Sequence, residues 1–255
     1  MQLSTAAAES VAQMGADDTG RIVFDGVVNG SRHVAPGRSS SSIDIVACTD
    51  AVFYIVGVVA DRVVVRDCRN CRVVVGCCLG EVLVESCQLV TVSAVTRSLS
   101  IATSVSCTLF ALCREPIAVQ ADCRNVAVGP FNAPFDGSDD IDAASLRYVV
   151  AGSTDASPTD VVRPVDPAEF IMAPVPIGHP PPSPFPLPDA YQQALSVRES
   201  RWRSLLARLN DPSVPRADLA QARAQADTQF RKWLEASGEI TFLEALHQNR
   251  YRVVS

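Results

Sequence analysis

Through the middle of the chain, apolar residues alternate with others in short runs, and the runs recur. Ile43-x-Ile45, Val63-x-Val65, Val82-x-Val84 and Leu99-x-Ile101 are each followed, five positions after the first apolar residue, by a small one: Cys48, Cys68, Cys87 and Ser104. These small residues stand 20, 19 and 17 positions apart. A looser copy begins near Ile117 and passes Asp122 and Cys123, and each copy has a second apolar stretch, at 52–56, 72–75, 90–95 and 108–112. Alternation with period two predicts strands rather than helices. Runs so rich in valine suit parallel strands buried on both faces.

A repeat of about 20 residues made of short strands and corners fits one turn of a solenoid. The predicted fold is therefore mainly β: a right-handed parallel β-helix followed by a small C-terminal α-helical hairpin. Successive coils stack at roughly 4.8 Å, so five coils rise about 25 Å and like residues lie above like. Cys48, Cys68, Cys87 and Ser104 then form a column at a tight inner corner. Residues 21–36 read as a further, degraded first coil, as terminal repeats often are.

The pattern changes after Gly137. Residues 138–187 are proline-rich, with Pro180, Pro181 and Pro182 in a row, and read as an extended segment partly packed on the β-helix. From 188 onward helical spacing appears. Tyr191, Leu195, Trp202, Leu205, Leu206 and Leu209 share one face, and Asn210-Asp-Pro212 ends the run. A second helix carries Leu219, Ala222, Ala226, Phe230, Trp233 and Leu234, with Gly238 as its cap. The two helices either pack internally or offer a partner an outer arginine face (Arg198, Arg201, Arg208, Arg223). The expected organisation is thus a disordered N-terminus at 1–20, the β-helix at 21–137, the proline-rich segment at 138–187 and helices at 188–255.

Composition narrows the function. The chain has 255 residues, is 47% hydrophobic but only 6% aromatic, and carries a formal charge of −6. An acidic balance argues against a nucleic-acid partner. No transmembrane segment is expected, because the longest apolar run, 51–60, is too short to span a bilayer. The N-terminus lacks a basic start followed by an apolar stretch, so the chain reads as cytoplasmic. Nine cysteines then sit in a reducing compartment. Cys68-x-x-Cys71 alone is a weak zinc signal without a second pair at finger spacing, and the repeat accounts for Cys48, Cys68 and Cys87 as small buried hydrophobes. Neither a metal nor a cofactor is expected. The acids of the repeat are scattered along coil edges, unlike the paired carboxylates of a carbohydrate-active β-helix enzyme.

The last coil ends in Val126-Ala-Val-Gly-Pro-Phe-Asn-Ala-Pro-Phe-Asp-Gly137. This resembles the closing motif of tubulin-binding cofactor C domains, with Gly129, Pro130, Phe131, Asn132, Phe135, Asp136 and Gly137 in the motif's places. Downstream, Arg163-Pro-Val-Asp-Pro-Ala-Glu-Phe170, Leu187-Pro-Asp-Ala-Tyr-Gln-Gln-Ala-Leu195 and Phe230-Arg-Lys-Trp-Leu-Glu-Ala-Ser-Gly238 are similar, in the same order, to segments of the family's TBCC domain-containing branch, found at centrosomes and basal bodies.

The resemblance implies the parallel β-helix. It also implies a test for catalysis. Catalytic members activate GTPases with an arginine from an L-R-x-H strand in the coil before the closing motif. Such an arginine is worth about 10³ to 10⁵ in rate. The matching strand here reads Leu99-Ser100-Ile101-Ala102, so Ser100 stands at the arginine position and Ala102 at the histidine position. Arg97, three residues away, is a poor substitute on a strand. The resemblance therefore implies a non-enzymatic scaffold or adaptor of the microtubule-organising centre, with cytoskeletal, centrosomal or basal-body partners, tubulin and small GTPases among the candidates. The alternative is a GTPase-activating protein for tubulin or an Arf-like GTPase. Actin binding, as in a related domain, has no direct sequence sign.

Overall fold

The computed structural model describes residues 14–16, 20–34, 39–133, 147–148, 161–173, 185–209, 221, 224–225, 227–232 and 253–254. Its core is a parallel β-solenoid of about five turns. Strands β2 (Arg21–Asp25), β4 (Ser39–Val46), β5 (Val52–Arg66), β6 (Arg72–Glu85), β7 (Thr91–Ala102), β8 (Thr108–Cys113) and β10 (Val126–Pro130) follow one another across a single sheet. Each pairs in parallel with the next.

The register stacks the repeat as the sequence pattern requires. Ile43, Val63, Val82 and Leu99 are successive partners, as are Ile45, Val65, Val84 and Ile101. All eight are at most 1% exposed. Phe53, Val73, Val92, Leu109 and Val128 form a second interior column. Burying one such side chain contributes about 1.5–3 kcal/mol, so an aliphatic core is sufficient without many aromatics. The expected first coil is present: β2 pairs with β4, and β3 (Ser31–Val34) pairs with β5.

One corner is built the same way at every level. Gly26, Ala47, Asp67, Ser86 and Thr103 have positive φ, and three residues later so do Asn29, Asp50, Asn70, Leu89 and Ser106; in the last coil Asn125 has it without a first partner. Just before the second left-handed position a single bridge residue pairs with the next coil: Val28, Thr49, Arg69, Gln88, Val105 and Arg124 in order. The residue before each bridge points inward, giving the column Val27, Cys48, Cys68, Cys87, Ser104 and Cys123, all buried. The other corner is continuous strand with register shifts, so the second apolar stretch of one copy and the first of the next merge into one long strand such as β5. There Gly80 passes so close to Asp61 that a Cβ would lie 2.2 Å from its carbonyl oxygen.

Short strands occupy the ends of the stack, where unpaired edges invite aggregation. Strand β1 (Met14–Ala16) runs antiparallel to β2, and β13 (Val253–Val254) lies parallel to β3. At the far end β12 (Val162–Pro164) extends β10 in parallel, while β11 (Arg147–Tyr148) runs antiparallel to β8.

The chain after the last coil covers one outer face. Phe131, Ala133, Ala173 and Phe185 bury the outward side chains Val52, Tyr54, Val56, Val74, Val95 and Leu112. Helix α1 (Asp189–Leu209) follows, and helix is also described at 227–232. Tyr191 and Leu195 pack on Phe110, Val165 and Phe170. Internal packing of the helical face stops there: Trp202, Leu205 and Leu206 are 57%, 43% and 38% exposed. Trp233, Leu234 and Gly238 lie outside the described residues, as does most of the expected disordered N-terminus.

Candidate functional site

Alternation sends every second residue of 42–46, 62–66, 81–85 and 98–102 outward on a face distinct from the one just described. Its central column is Asp44, Val64, Leu83, Ser100 and Ala118. One flanking column reads Ser42, Arg62, Glu81 and Ser98, the other Val46, Arg66, Glu85 and Ala102. Opposite charges meet between coils. Arg66 Nε donates to Glu85 Oε2 at 2.9 Å, Arg62 and Glu81 approach to 3.9 Å, and Arg21 pairs with Asp44. The Arg62, Arg66 and Glu81 side chains are about half exposed, at 52%, 49% and 44%. The face is therefore a narrow strip, apolar or small along its centre from Val64 to Ala118, between rows of internally paired charges.

Ser100 lies at the centre of that strip, with its Oγ 3.1 Å from Glu81 Oε1. Ala102 is buried beside Glu85 in register. Arg97 is not turned into the interior, as strict alternation would require. Two residues of β6 oppose one of β7 at this corner, so Arg97 and Ser98 both face solvent. Its Nε donates to Glu115 Oε1 at 3.1 Å, one coil on. Glu81 is the neighbour that sequence reasoning missed. Its signal was available as the coil register, which sets 81 and 98 side by side and brings 100 within reach.

The closing motif has a different place. Phe131 and Asn132 are buried at 1% and 3% exposure. Asn132 Oδ1 accepts from the Ser93 hydroxyl at 2.7 Å, while its Nδ2 donates to the Ile171 carbonyl at 2.9 Å. Its own carbonyl accepts from the Ala173 amide at 2.7 Å. One amide thus ties the outer face of the stack to the returning chain. Gly129 leaves room for Phe110, whose ring a Cβ would approach to 3.0 Å. Phe135, Asp136 and Gly137 lie outside the described residues. Beside Asn132 runs a cleft of about 230 Å³ lined by Arg72, Thr91, Thr108, Arg163, Glu169 and Ile171, which the sequence pattern did not reveal.

All nine cysteines are free and buried. Six of the thiols donate to backbone carbonyls of the neighbouring coil, as Cys68 does to Ile45 and Cys87 to Val65, both at 3.5 Å. Burial pushes the Cys78, Cys107 and Cys123 thiols up, and that of Cys113 to about 12. Thiols held neutral in this way are poor metal ligands and nucleophiles. Among the described residues no three of His, Cys, Asp and Glu converge on a point that could hold a metal ion. No helix among them is long and apolar enough to cross a membrane.

Residues 40–150 match the family model described as tubulin binding cofactor C, and they coincide with most of the stack and its closing motif. This stretch of the chain is similar to the tubulin-binding cofactor C family. Curated relatives extend the likeness beyond the cofactor C domain. TBCC domain-containing protein 1 of Danio rerio is 26% identical over 220 residues, covering 80% of this chain and 37% of that protein. Its namesake in Xenopus tropicalis is 25% identical over 203 residues (75% and 37%), and that in Mus musculus 24% over 210 residues (78% and 38%). The chain therefore spans less than two fifths of the length of these relatives. No solved structure matches it.

Proposed function

We propose that this chain is a non-catalytic docking module of the cytoskeleton that works as a scaffold or adaptor at a microtubule-organising centre: a centrosome, basal body or spindle pole. Its role there is the organisation of the cytoskeleton and the positioning of centrosome and organelles. Its partners are cytoskeletal or centrosomal proteins, with tubulin or a small GTPase among them. The observation that carries this reading is the Ser100–Glu81 hydrogen bond. The transition state of phosphoryl transfer gathers negative charge, which an inserted arginine stabilises. A hydroxyl brings no charge, and the carboxylate beside it repels the phosphates. Arg97 is engaged with Glu115 three residues off the position. The strip around Ser100 is a solvent-facing surface without the group that would make it an activator.

Two measurements test the reading. In single-turnover hydrolysis of GTP by tubulin or an Arf-like GTPase, added protein leaves the rate unchanged. A large acceleration that disappears in Arg97→Ala would instead establish the activator. A tagged protein imaged in cells concentrates at centrosomes, basal bodies or spindle poles; a diffuse signal with no focus there counts against the scaffold.

A further inference from the structure

Arginine precedes serine by three positions at Ser41, Ser100, Ser204 and Ser255. Protein kinases that select this spacing hold the substrate extended and pair the arginine with acidic groups of their cleft. The fold separates these serines. Ser41 and Ser100 lie within ladder strands β4 and β7, and Ser100 has neighbours on both sides, Leu83 and Ala118. Extending either into another protein would tear the stack. Ser255 is outside the described residues.

Ser204 is placed differently. It is exposed on α1, and its Oγ donates only to the Ser200 carbonyl one turn back, at 2.9 Å. Residues 199–207 are all exposed, so this part of the helix buries nothing against the solenoid. The last anchor is Arg198, whose guanidinium donates to the carbonyls of Phe170 and Ala168, both at 2.7 Å. A helix without tertiary support is marginal in water, and its end opens at small cost. Arg201 is exposed and has no partner among the described residues; Arg203 adds a second cation next to the serine, 73% exposed and paired only locally with Glu199.

We propose that Ser204 is a phosphate acceptor for an arginine-directed serine/threonine protein kinase. In the transfer, Ser204 Oγ bonds to the γ-phosphorus of ATP and the bond from that phosphorus to the β–γ bridging oxygen breaks. ADP leaves, and the hydroxyl proton passes to the kinase's base. The new group brings about −1.5 to −2 charges. In the re-formed helix it lies within reach of Arg201, three residues back. It also lands beside the exposed Val197, Trp202, Leu205 and Leu206, so any contact made through that stripe would change with modification.

The test incubates the full chain with ATP and the catalytic subunit of cAMP-dependent protein kinase, followed by mass mapping. One phosphate per chain is expected, on Ser204. Ser204→Ala, with an unchanged circular dichroism spectrum, takes up none. Arg201→Ala lowers the initial rate about tenfold or more, the loss of one charge-assisted contact. No incorporation, incorporation undiminished in Ser204→Ala, or indifference to Arg201→Ala would each overturn the assignment.

Discussion

Left-handed backbone at a repeated corner asks for particular side chains. An L-residue with a Cβ pays about 1–2 kcal/mol there, less for Asn or Asp, whose short polar group bonds locally. Asn29, Asp50, Asn70 and Asn125 meet that demand, and Asn70 Nδ2 donates to Asp50 Oδ1 at 2.6 Å across coils. Leu89 does not: it holds φ 55° with its side chain half exposed. Leu89→Asn is therefore expected to stabilise the protein by about 1 kcal/mol, read as a higher denaturant midpoint at constant slope. A lower midpoint would mean that leucine's remaining apolar contacts outweigh the backbone strain.

At the scale of elements, the decisive joint is the one between the stack and the chain returning over it. Asn132 makes it with three hydrogen bonds, and Tyr191 adds a fourth from α1, donating to the Val165 carbonyl at 2.7 Å. Asn132→Ala leaves the buried Ser93 hydroxyl without its partner, at about 1–3 kcal/mol for an unsatisfied buried group, and releases the carbonyl of the exposed Ile171. We expect a loss of about 2–4 kcal/mol together with faster proteolysis within 161–173. An unchanged cleavage pattern would show that apolar contacts of Phe131 and Phe170 hold the joint alone. The sequence indicated Asn132 only through its family motif. No periodicity marks a single amide that faces outward and becomes buried by a segment 39 residues away.

For the molecule as a whole, stacking turns a local pattern into a sealed interior. Nine thiols lie inside it or beneath its outer layer, and burial holds several of them neutral. In the native protein at neutral pH a disulfide reagent should therefore label them slowly, and unfolding in guanidinium should release all nine at once. Rapid labelling of several native thiols would contradict a closed stack. The same seal keeps the acidic and basic residues of the repeat out of the interior, and a group of them lines the outer strip. There Arg62 and Arg66 face Glu81 and Glu85 one coil later. Such exposed pairs add little stability; their weight is in what the strip will accept as a partner.

The repeat was legible in the chain because a solenoid writes each interior column into the sequence at a near-constant interval. Ile43, Val63, Val82 and Leu99 could be aligned before any coordinates, and so could the small-residue corner from Cys48 through Ser104. The degraded first coil and the start of α1 followed from the same local rules. Tertiary structure alone decided what lies across coils and outside them. Glu81 beside Ser100, Arg97 turned to solvent by a register shift, and the cleft next to Asn132 all depend on how corners bulge and where the returning chain comes to rest. Helical spacing likewise gave α1 its apolar face but not its environment: Tyr191 and Leu195 found the solenoid, whereas Trp202 and Leu206 did not. Periodicity reports which residues share a face; what covers that face is set by contacts between distant segments.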